Sequence, residues 1–209
     1  MSKDKLSYKM TLLGDTGVGK TSLFKKLVKG TFDSKSISTI GVDRKTLNFK
    51  INTSDGEKEA EITLFDTAGQ EKFRSISVSY FRESKGLVML YDITKNESFQ
   101  NLGDWLNDII ENLGKKENYL IILLGNKSDI IEEDPDKRDV DEQDAKDYCT
   151  KNNILWGGEV SVKDFDREKL NSLFKEFIEE MYKKLGCSTV KKEETTLTKS
   201  APKKKKGFC

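Results

Sequence analysis

Residues Gly14–Thr21 read GDTGVGKT, and this stretch decides the fold because it sets three glycines between an apolar run and a helix-like run. Each glycine weakens a regular element by roughly 0.5–1 kcal/mol relative to alanine, so a compensating role is expected. The stretch matches the pattern G-x-x-x-x-G-K-[ST], in which backbone N–H groups before a helix form a nest for phosphate. The alternative interpretation is an ordinary glycine-rich turn.

In the phosphate-binding interpretation, the glycines leave room that side chains would fill. Lys20 is expected to bridge the terminal phosphates of a nucleotide, and the Thr21 hydroxyl is expected to bind Mg²⁺. The candidate nucleotide-binding residues of the loop and the helix start are Thr16, Gly17, Val18, Gly19, Lys20, Thr21 and Ser22.

Short apolar runs alternate with helical periods along the chain, which predicts a three-layer α/β fold with a mainly parallel sheet. A turn at Asp55-Gly56 predicts an antiparallel hairpin, and Thr94 with Glu97 resembles a capping box. The strand candidates are residues 9–14, 45–51, 61–65, 86–92, 119–126 and, more weakly, 154–161. The helix candidates are residues 21–29, 97–113, 141–153 and 170–185.

Composition limits the function classes. The 209 residues fit one domain with an appendage, and no apolar run is long enough to span a bilayer. Three scattered cysteines favour a reducing compartment over a disulfide framework. We expect Cys149 to pack within a helix interface and Cys187 to be a surface thiol or an acylation site. Histidine is absent, so any catalysis must do without the commonest general base.

Two further motifs follow apolar strands. In NKSD, residues 126–129, the Asp129 carboxylate can accept from both N1–H and N2–H₂ of guanine, and the Lys127 stem can pack on the ring. Adenine would leave that carboxylate unpaired, which is costly. In DTAGQ, residues 66–70, Asp66 can bind Mg²⁺, Gly69 can donate to a γ-phosphate, and Gln70 can orient the attacking water. The alternative for each motif is a polar turn.

A third stretch, STIGVD at residues 38–43, contains Thr39. A threonine in such a loop can complete the Mg²⁺ shell only while a γ-phosphate is present, so the loop would order with GTP and relax with GDP. Thr-Ile-Gly is not distinctive by itself, and an ordinary loop is the alternative.

With these motifs in order, residues 7–186 resemble a Ras-superfamily small GTPase of the Rab family. LFDTAGQEKFRSIS and LYDITKNESF carry the resemblance most clearly. It implies the small G protein form of the P-loop NTPase fold, with a six-stranded mainly parallel sheet and five helices, and a Mg²⁺-dependent GTP/GDP switch in membrane traffic. It also implies that Phe32 and Asn126 bind the nucleotide at the guanine base, that Ser161, Val162 and Lys163 form a second base loop, and that Thr39 and Gln70 anchor the two switch segments.

Some positions depart from the family pattern. Arg44 stands where an aromatic residue is common, and Phe65 stands where tryptophan is common. With Tyr80 these positions normally form an aromatic, effector-facing trio. We expect Arg44 either to select unusual effectors or to extend from the strand without a role. Val162 replaces a usual alanine, which backbone contacts to the nucleotide can tolerate.

Residues 187–209 form a predicted disordered basic tail. Nine lysines and two glutamates lie in residues 183–209, so this end carries +7 and the rest −6 of the net +1. A terminal Cys209 beside KKKK suggests a lipid-plus-charge anchor. The resemblance implies geranylgeranylation of Cys209, although the ending has neither two cysteines nor C-a-a-X. A solvated basic tail is the alternative.

The sequence thus predicts a slow GTPase that needs an activating protein, on the cytosolic face of an endomembrane or the plasma membrane. Expected partners are an exchange factor, a GTPase-activating protein, effectors, and a GDP-dissociation inhibitor or escort protein. A monomer without a nucleic-acid partner is expected. The alternatives are a weakly hydrolysing GTP-binding scaffold with atypical effectors, and a P-loop kinase or ATPase.

Overall fold

The computed structural model describes residues 6–32, 42–67, 81–114 and 116–186. Within them the chain forms one six-stranded sheet with helices on both faces, as predicted. The strands are β1 (Leu6–Leu13), β2 (Val42–Thr53), β3 (Gly56–Thr67), β4 (Gly86–Asp92), β5 (Leu120–Asn126) and β6 (Leu155–Val160).

The helices in the described residues are α1 (Lys20–Lys29), α2 (Asn96–Gln100), α3 (Leu102–Leu113), α4 (Ser128–Glu133), α5 (Glu142–Asn152) and α6 (Arg167–Leu185). The junction of α2 and α3 lies at Asn101, so this pair is one interrupted helix, and the helices just named form five helical segments within the described residues. Single 3₁₀ turns cover Lys116–Asn118 and Pro135–Lys137.

The strand order is β2-β3-β1-β4-β5-β6. Only the β2–β3 pair is antiparallel, and its register runs from Val42 opposite Thr67 to Thr53 opposite Gly56. The remaining pairs are parallel. The carboxyl ends of β1, β3, β4 and β5 therefore meet at one edge of the sheet, where ligands bind in open α/β sheets.

Two apolar clusters fill the space on either side of the sheet. One joins the sheet to α1 and α6 through residues such as Leu27 and Phe174. The other joins it to α3 and α5 through residues such as Trp105 and Cys149. Every residue of β4 and β5 is buried, which explains why these strands read as continuous apolar runs. The predicted packing of Cys149 is confirmed, and burial raises the pKa of its thiol to about 12.

Some details differ from the prediction. The capping box at Thr94 and Glu97 is wrong: α2 begins after Lys95 without a side-chain cap, because Thr94 donates its N–H and its hydroxyl to Asp92 Oδ1. Helix α4 was not predicted, because its six residues are too few to show the helical spacing of apolar side chains. Across the described part of the chain, no helix has the length and apolar character needed to cross a bilayer.

Candidate nucleotide-binding site

The phosphate loop joins β1 to α1 at the carboxyl edge of the sheet. Gly17 and Gly19 have φ of +82° and +107°, a region that favours glycine. A Cβ on Gly17 would meet nothing within 4 Å, whereas one on Gly19 would lie 2.1 Å from Asn126 Nδ2. Glycine was predicted at these positions because it leaves open space for phosphate, and this reason fits Gly17. Position 19 needs glycine for another reason, because the Asn126 side chain occupies the space that a Cβ would fill.

Lys20 begins α1 and is almost fully buried. Its ammonium donates to the carbonyl oxygens of Gly14 and Asp15, at 2.7 Å each, and so curls back over the loop. Burial lowers the pKa of this ammonium to about 8, against the opposing charges of Asp66 and Asp15. A buried cation at the start of a helix, beside a glycine-rich loop, is suited to a phosphate group.

Asp66, near the end of β3, is fully buried, and neither of its oxygens has a hydrogen-bond partner of normal geometry in the described residues. Burial raises the pKa of this carboxyl to about 6, although Thr21 and Lys20 act against the shift. Burying a carboxylate without a hydrogen-bond or ionic partner costs free energy, so a cation bound beside Asp66 would stabilise the site. Asp66 and Thr21 offer hard oxygen donors, which Mg²⁺ prefers. Mg²⁺ is usually bound by only a few protein ligands, so these two residues suit it.

Asn126, the last residue of β5, connects two loops. Its Nδ2 donates to the Val18 carbonyl oxygen at 2.7 Å, and its Oδ1 accepts from the Val162 N–H at 3.1 Å. The amide thus gives one hydrogen bond to the phosphate loop and accepts one from the loop after β6, so it links the two loops. The Val162 side chain is buried in the core beside α1 and α6, which explains why an apolar residue larger than alanine is accommodated.

Asp129 is held in place by the loop that follows β6. Its Oδ1 accepts from the Ser161 hydroxyl at 2.9 Å, and its Oδ2 lies 3.4 Å from Lys163 Nζ. Ser161 is buried and also accepts from the Asp164 N–H, so its hydroxyl is fixed. A carboxylate oriented in this way presents a defined edge to the two N–H groups of a guanine base.

Lys127 adopts the left-handed conformation at φ +77° and ψ +36°. Its Nζ lies 2.6 Å from Asp92 Oδ2 at the buried end of β4. The ion pair fixes the end of the lysine side chain beside the end of β4. Asp92 belongs to no motif recognised in the sequence, although its place at the end of an apolar strand was a usable signal.

Three other residues at the site, Asp15, Asn101 and Trp105, were not indicated by any sequence pattern. The Asp15 carboxylate accepts from Asn101 Nδ2 at 2.7 Å and from Trp105 Nε1 at 2.8 Å. These contacts join positions 86 and 90 residues apart, and no local pattern could have revealed them.

The remaining predicted residues fall into two groups. Thr16, Ser22 and the exposed Phe32 lie around the loop and at the end of the first described segment. Six residues with predicted roles lie outside the described residues, as does the predicted tail. They are Thr39, Gly69, Gln70, Tyr80, Cys187 and Cys209.

Arg44 and Phe65 face each other as a cross-strand pair of β2 and β3. Arg44 is exposed and Phe65 is half-buried, with Lys9 Nζ 4.8 Å from the centre of the phenyl ring. The two positions at which the chain departs from the aromatic pattern are therefore neighbours on one surface.

Comparison with known proteins agrees with this geometry. The sequence model of the Ras family matches residues 9–183. The Ras-related protein Rab-18-B of Danio rerio is 33% identical over 203 residues, which cover 96% of this chain and 92% of that protein. The GTP-binding protein ypt1 of Schizosaccharomyces pombe is 40% identical over 158 residues, covering 75% and 72%. The GTP-binding protein ypt3 of the same yeast is 32% identical over 176 residues, covering 84% and 76%. The chain belongs to the Ras superfamily and, within it, to the Rab family of small GTPases.

Proposed function

We propose that this chain binds GTP and GDP with Mg²⁺ at the carboxyl edge of its sheet, hydrolyses GTP there, and signals the state of the nucleotide to effectors. As a Rab-family member it is a GTPase and a GTP-binding switch of vesicle traffic. The observation that carries the site assignment is the fully buried carboxylate of Asp66 beside the phosphate loop, which has no hydrogen-bond partner of normal geometry among the described residues.

The phosphates would lie in the nest of N–H groups formed by residues 16–22, with Lys20 at the terminal phosphates. Its ammonium donates two hydrogen bonds to loop carbonyl oxygens, and its third N–H can donate to a phosphate oxygen. Thr21, Asp66 and, in the GTP state, Thr39 would bind Mg²⁺. When bound, this ion offsets the charge that develops on the terminal phosphate.

The base would lie between the two loops that Asn126 ties together. Asp129, fixed by Ser161, would accept from guanine N1–H and N2–H₂, whereas adenine cannot supply this pair of donors. The stem of Lys127 would cover one ring face, and Phe32 would approach the other side or edge of the base. The Val162 N–H is engaged by Asn126, so this residue would shape the loop instead of donating to the base.

Hydrolysis would need little acid–base chemistry from the protein, which suits a chain without histidine. Gln70 would orient the attacking water, and Gly69 would donate its N–H to the γ-phosphate. The sequence supplies no assured arginine finger of its own. We therefore expect slow intrinsic turnover and an acceleration of roughly 10³-fold or more by an activating protein. The Rab relationship favours this switch over the scaffold alternative.

The switch would act through partners at a membrane. We propose an exchange factor, a GTPase-activating protein, state-dependent effectors and a GDP-dissociation inhibitor or escort protein. Lipidation of Cys209, assisted by the adjacent lysines, would hold the chain on the cytosolic face of an endomembrane or the plasma membrane. Mass spectrometry of the native C-terminus tests this anchor, and an unmodified thiol would contradict it.

Single-turnover hydrolysis tests the enzymatic proposal. Purified protein loaded with GTP and Mg²⁺ is expected to release phosphate slowly, and Gln70→Leu is expected to keep GTP affinity while nearly abolishing release. Gln143→Leu is the matched control, because Gln143 lies on α5 with its amide bonded to Asp147 at 2.8 Å, in an exposed position. Normal hydrolysis by Gln70→Leu would contradict the role given to Gln70.

A further inference from the structure

A carboxylate stands inside the loop that must bind a polyanion. Asp15 directly follows Gly14, and its backbone carbonyl accepts one of the two hydrogen bonds from Lys20 Nζ. Its side-chain charge is one of the two that act on the Lys20 ammonium. A freely rotating carboxylate at this position would compete with phosphate for Lys20 and would repel the nucleotide.

Two neutral donors hold this carboxylate. Asn101 Nδ2 donates to Asp15 Oδ2 at 2.7 Å, and Trp105 Nε1 donates to Asp15 Oδ1 at 2.8 Å. The donors are four residues apart and so lie on the same side of the helix. Each carboxylate oxygen therefore has one short, charge-assisted hydrogen bond. We call Asn101 and Trp105 the carboxylate clamp.

The clamp is anchored in rigid structure. Trp105 is 2% exposed and belongs to the apolar cluster between the sheet and α3. Asn101 lies at the junction of α2 and α3, where its N–H donates to Glu97 and its carbonyl accepts from the N–H groups of Asp104 and Trp105. Neither donor can follow Asp15 toward the phosphates without disturbing the helix.

We propose that Asn101 and Trp105 are positioning residues for nucleotide binding, which hold the Asp15 carboxylate on the helix side of the loop and leave Lys20 for the phosphates. This inference rests on the proposed nucleotide site. Loss of the clamp frees the carboxylate to pair with Lys20, and nucleotide then dissociates faster.

The test measures the rate at which a fluorescent GDP derivative leaves the full-length protein in excess Mg²⁺ and unlabelled GDP. Trp105→Phe removes the N–H and keeps most of the ring, while Asn101→Leu removes the amide and keeps the volume. Each change is expected to speed release by roughly tenfold, since each breaks one hydrogen bond to a charged group. Trp156→Phe, at the other tryptophan of the chain, is the matched control and is expected to release GDP at the wild-type rate.

A charge-removal variant separates positioning from general damage. Asp15→Ala placed in the Asn101→Leu/Trp105→Phe protein is expected to bring the release rate back to that of Asp15→Ala alone. Unchanged release from both single variants would overturn the proposal, as would fast release that persists in the triple variant. Thermal unfolding identifies any protein that fails to fold, and the single change at partly exposed Asn101 then carries the test. Wild-type protein that binds no GDP would instead contradict the nucleotide site itself.

Discussion

The Asn126 side-chain amide donates to the Val18 carbonyl oxygen at 2.7 Å, and this bond fixes the phosphate loop against the end of β5. The same amide leaves no space for a Cβ on Gly19, because the two atoms would be 2.1 Å apart. One side chain thus both binds the phosphate loop and requires glycine at position 19.

We predict that Gly19→Ala destabilises the nucleotide-free protein by at least about 2 kcal/mol, because a steric clash adds to the cost of a positive φ. Gly56→Ala is the matched control, since Gly56 has φ of +106° and a Cβ added there would meet nothing within 4 Å. Its expected cost is about 1 kcal/mol. Urea unfolding of both variants in EDTA measures the difference, and equal destabilisation would contradict the role given to Asn126.

Asp66 predicts an unusual pH dependence. Burial raises the pKa of its carboxyl to about 6, well above the ordinary range of an aspartate, so the native state binds the proton more tightly than the unfolded chain. This contribution to stability is largest at low pH and is lost as the pH rises through 6. Without Mg²⁺ and nucleotide, the wild type should therefore gain about 1 kcal/mol relative to Asp66→Asn between pH 7 and pH 5. Parallel stability curves for the two proteins would contradict the shift.

Ser161 orients the Asp129 carboxylate, which we propose binds the base, through a 2.9 Å hydrogen bond. We predict that Ser161→Ala weakens GDP binding roughly tenfold, because a buried charged acceptor loses a donor. Ser172→Ala, at an exposed position on α6, should bind GDP like the wild type. Calorimetric titration compares the three proteins, and wild-type affinity in Ser161→Ala would show that Asp129 does not depend on this bond.

Arg44 lies directly across from Phe65 on the exposed surface of the β2–β3 hairpin. If this charge selects effectors, Arg44→Phe should change the set of cytosolic proteins captured by the chain locked on a GTP analogue. Lys50→Ala, farther along the same strand, should leave the set unchanged. An identical set from Arg44→Phe would mean that the guanidinium merely extends into solvent.

Much of the fold followed from local sequence. Buried β4 and β5 read as apolar runs because both of their faces are covered, and the Asp55-Gly56 turn marked the hairpin. Exposed β2 was predicted too short, since most of its side chains face solvent and carry no apolar signal. The capping box was wrong because Thr94 matched the pattern while its hydroxyl was taken by Asp92, a competitor two residues away.

The site divides in the same way. Lys20, Asp66 and Asp129 were predictable because each belongs to a short motif beside a strand. The contacts that arrange the loops around them were not, because Asn126–Val18, Lys127–Asp92 and Trp105–Asp15 join residues far apart in the chain. The expectation that Asn126 contacts the nucleotide stays a prediction, and the structure adds that its amide joins two loops of the protein.

The most direct measurement is calorimetric titration of nucleotide-stripped protein with GTP and with ATP, each with and without Mg²⁺. We predict saturable binding of GTP that is strengthened by Mg²⁺, loss of this strengthening in Asp66→Asn, and no comparable binding of ATP. Protein that gives no heat with GTP and Mg²⁺, or that binds ATP equally well, would contradict the assignment of a magnesium-dependent guanine nucleotide site.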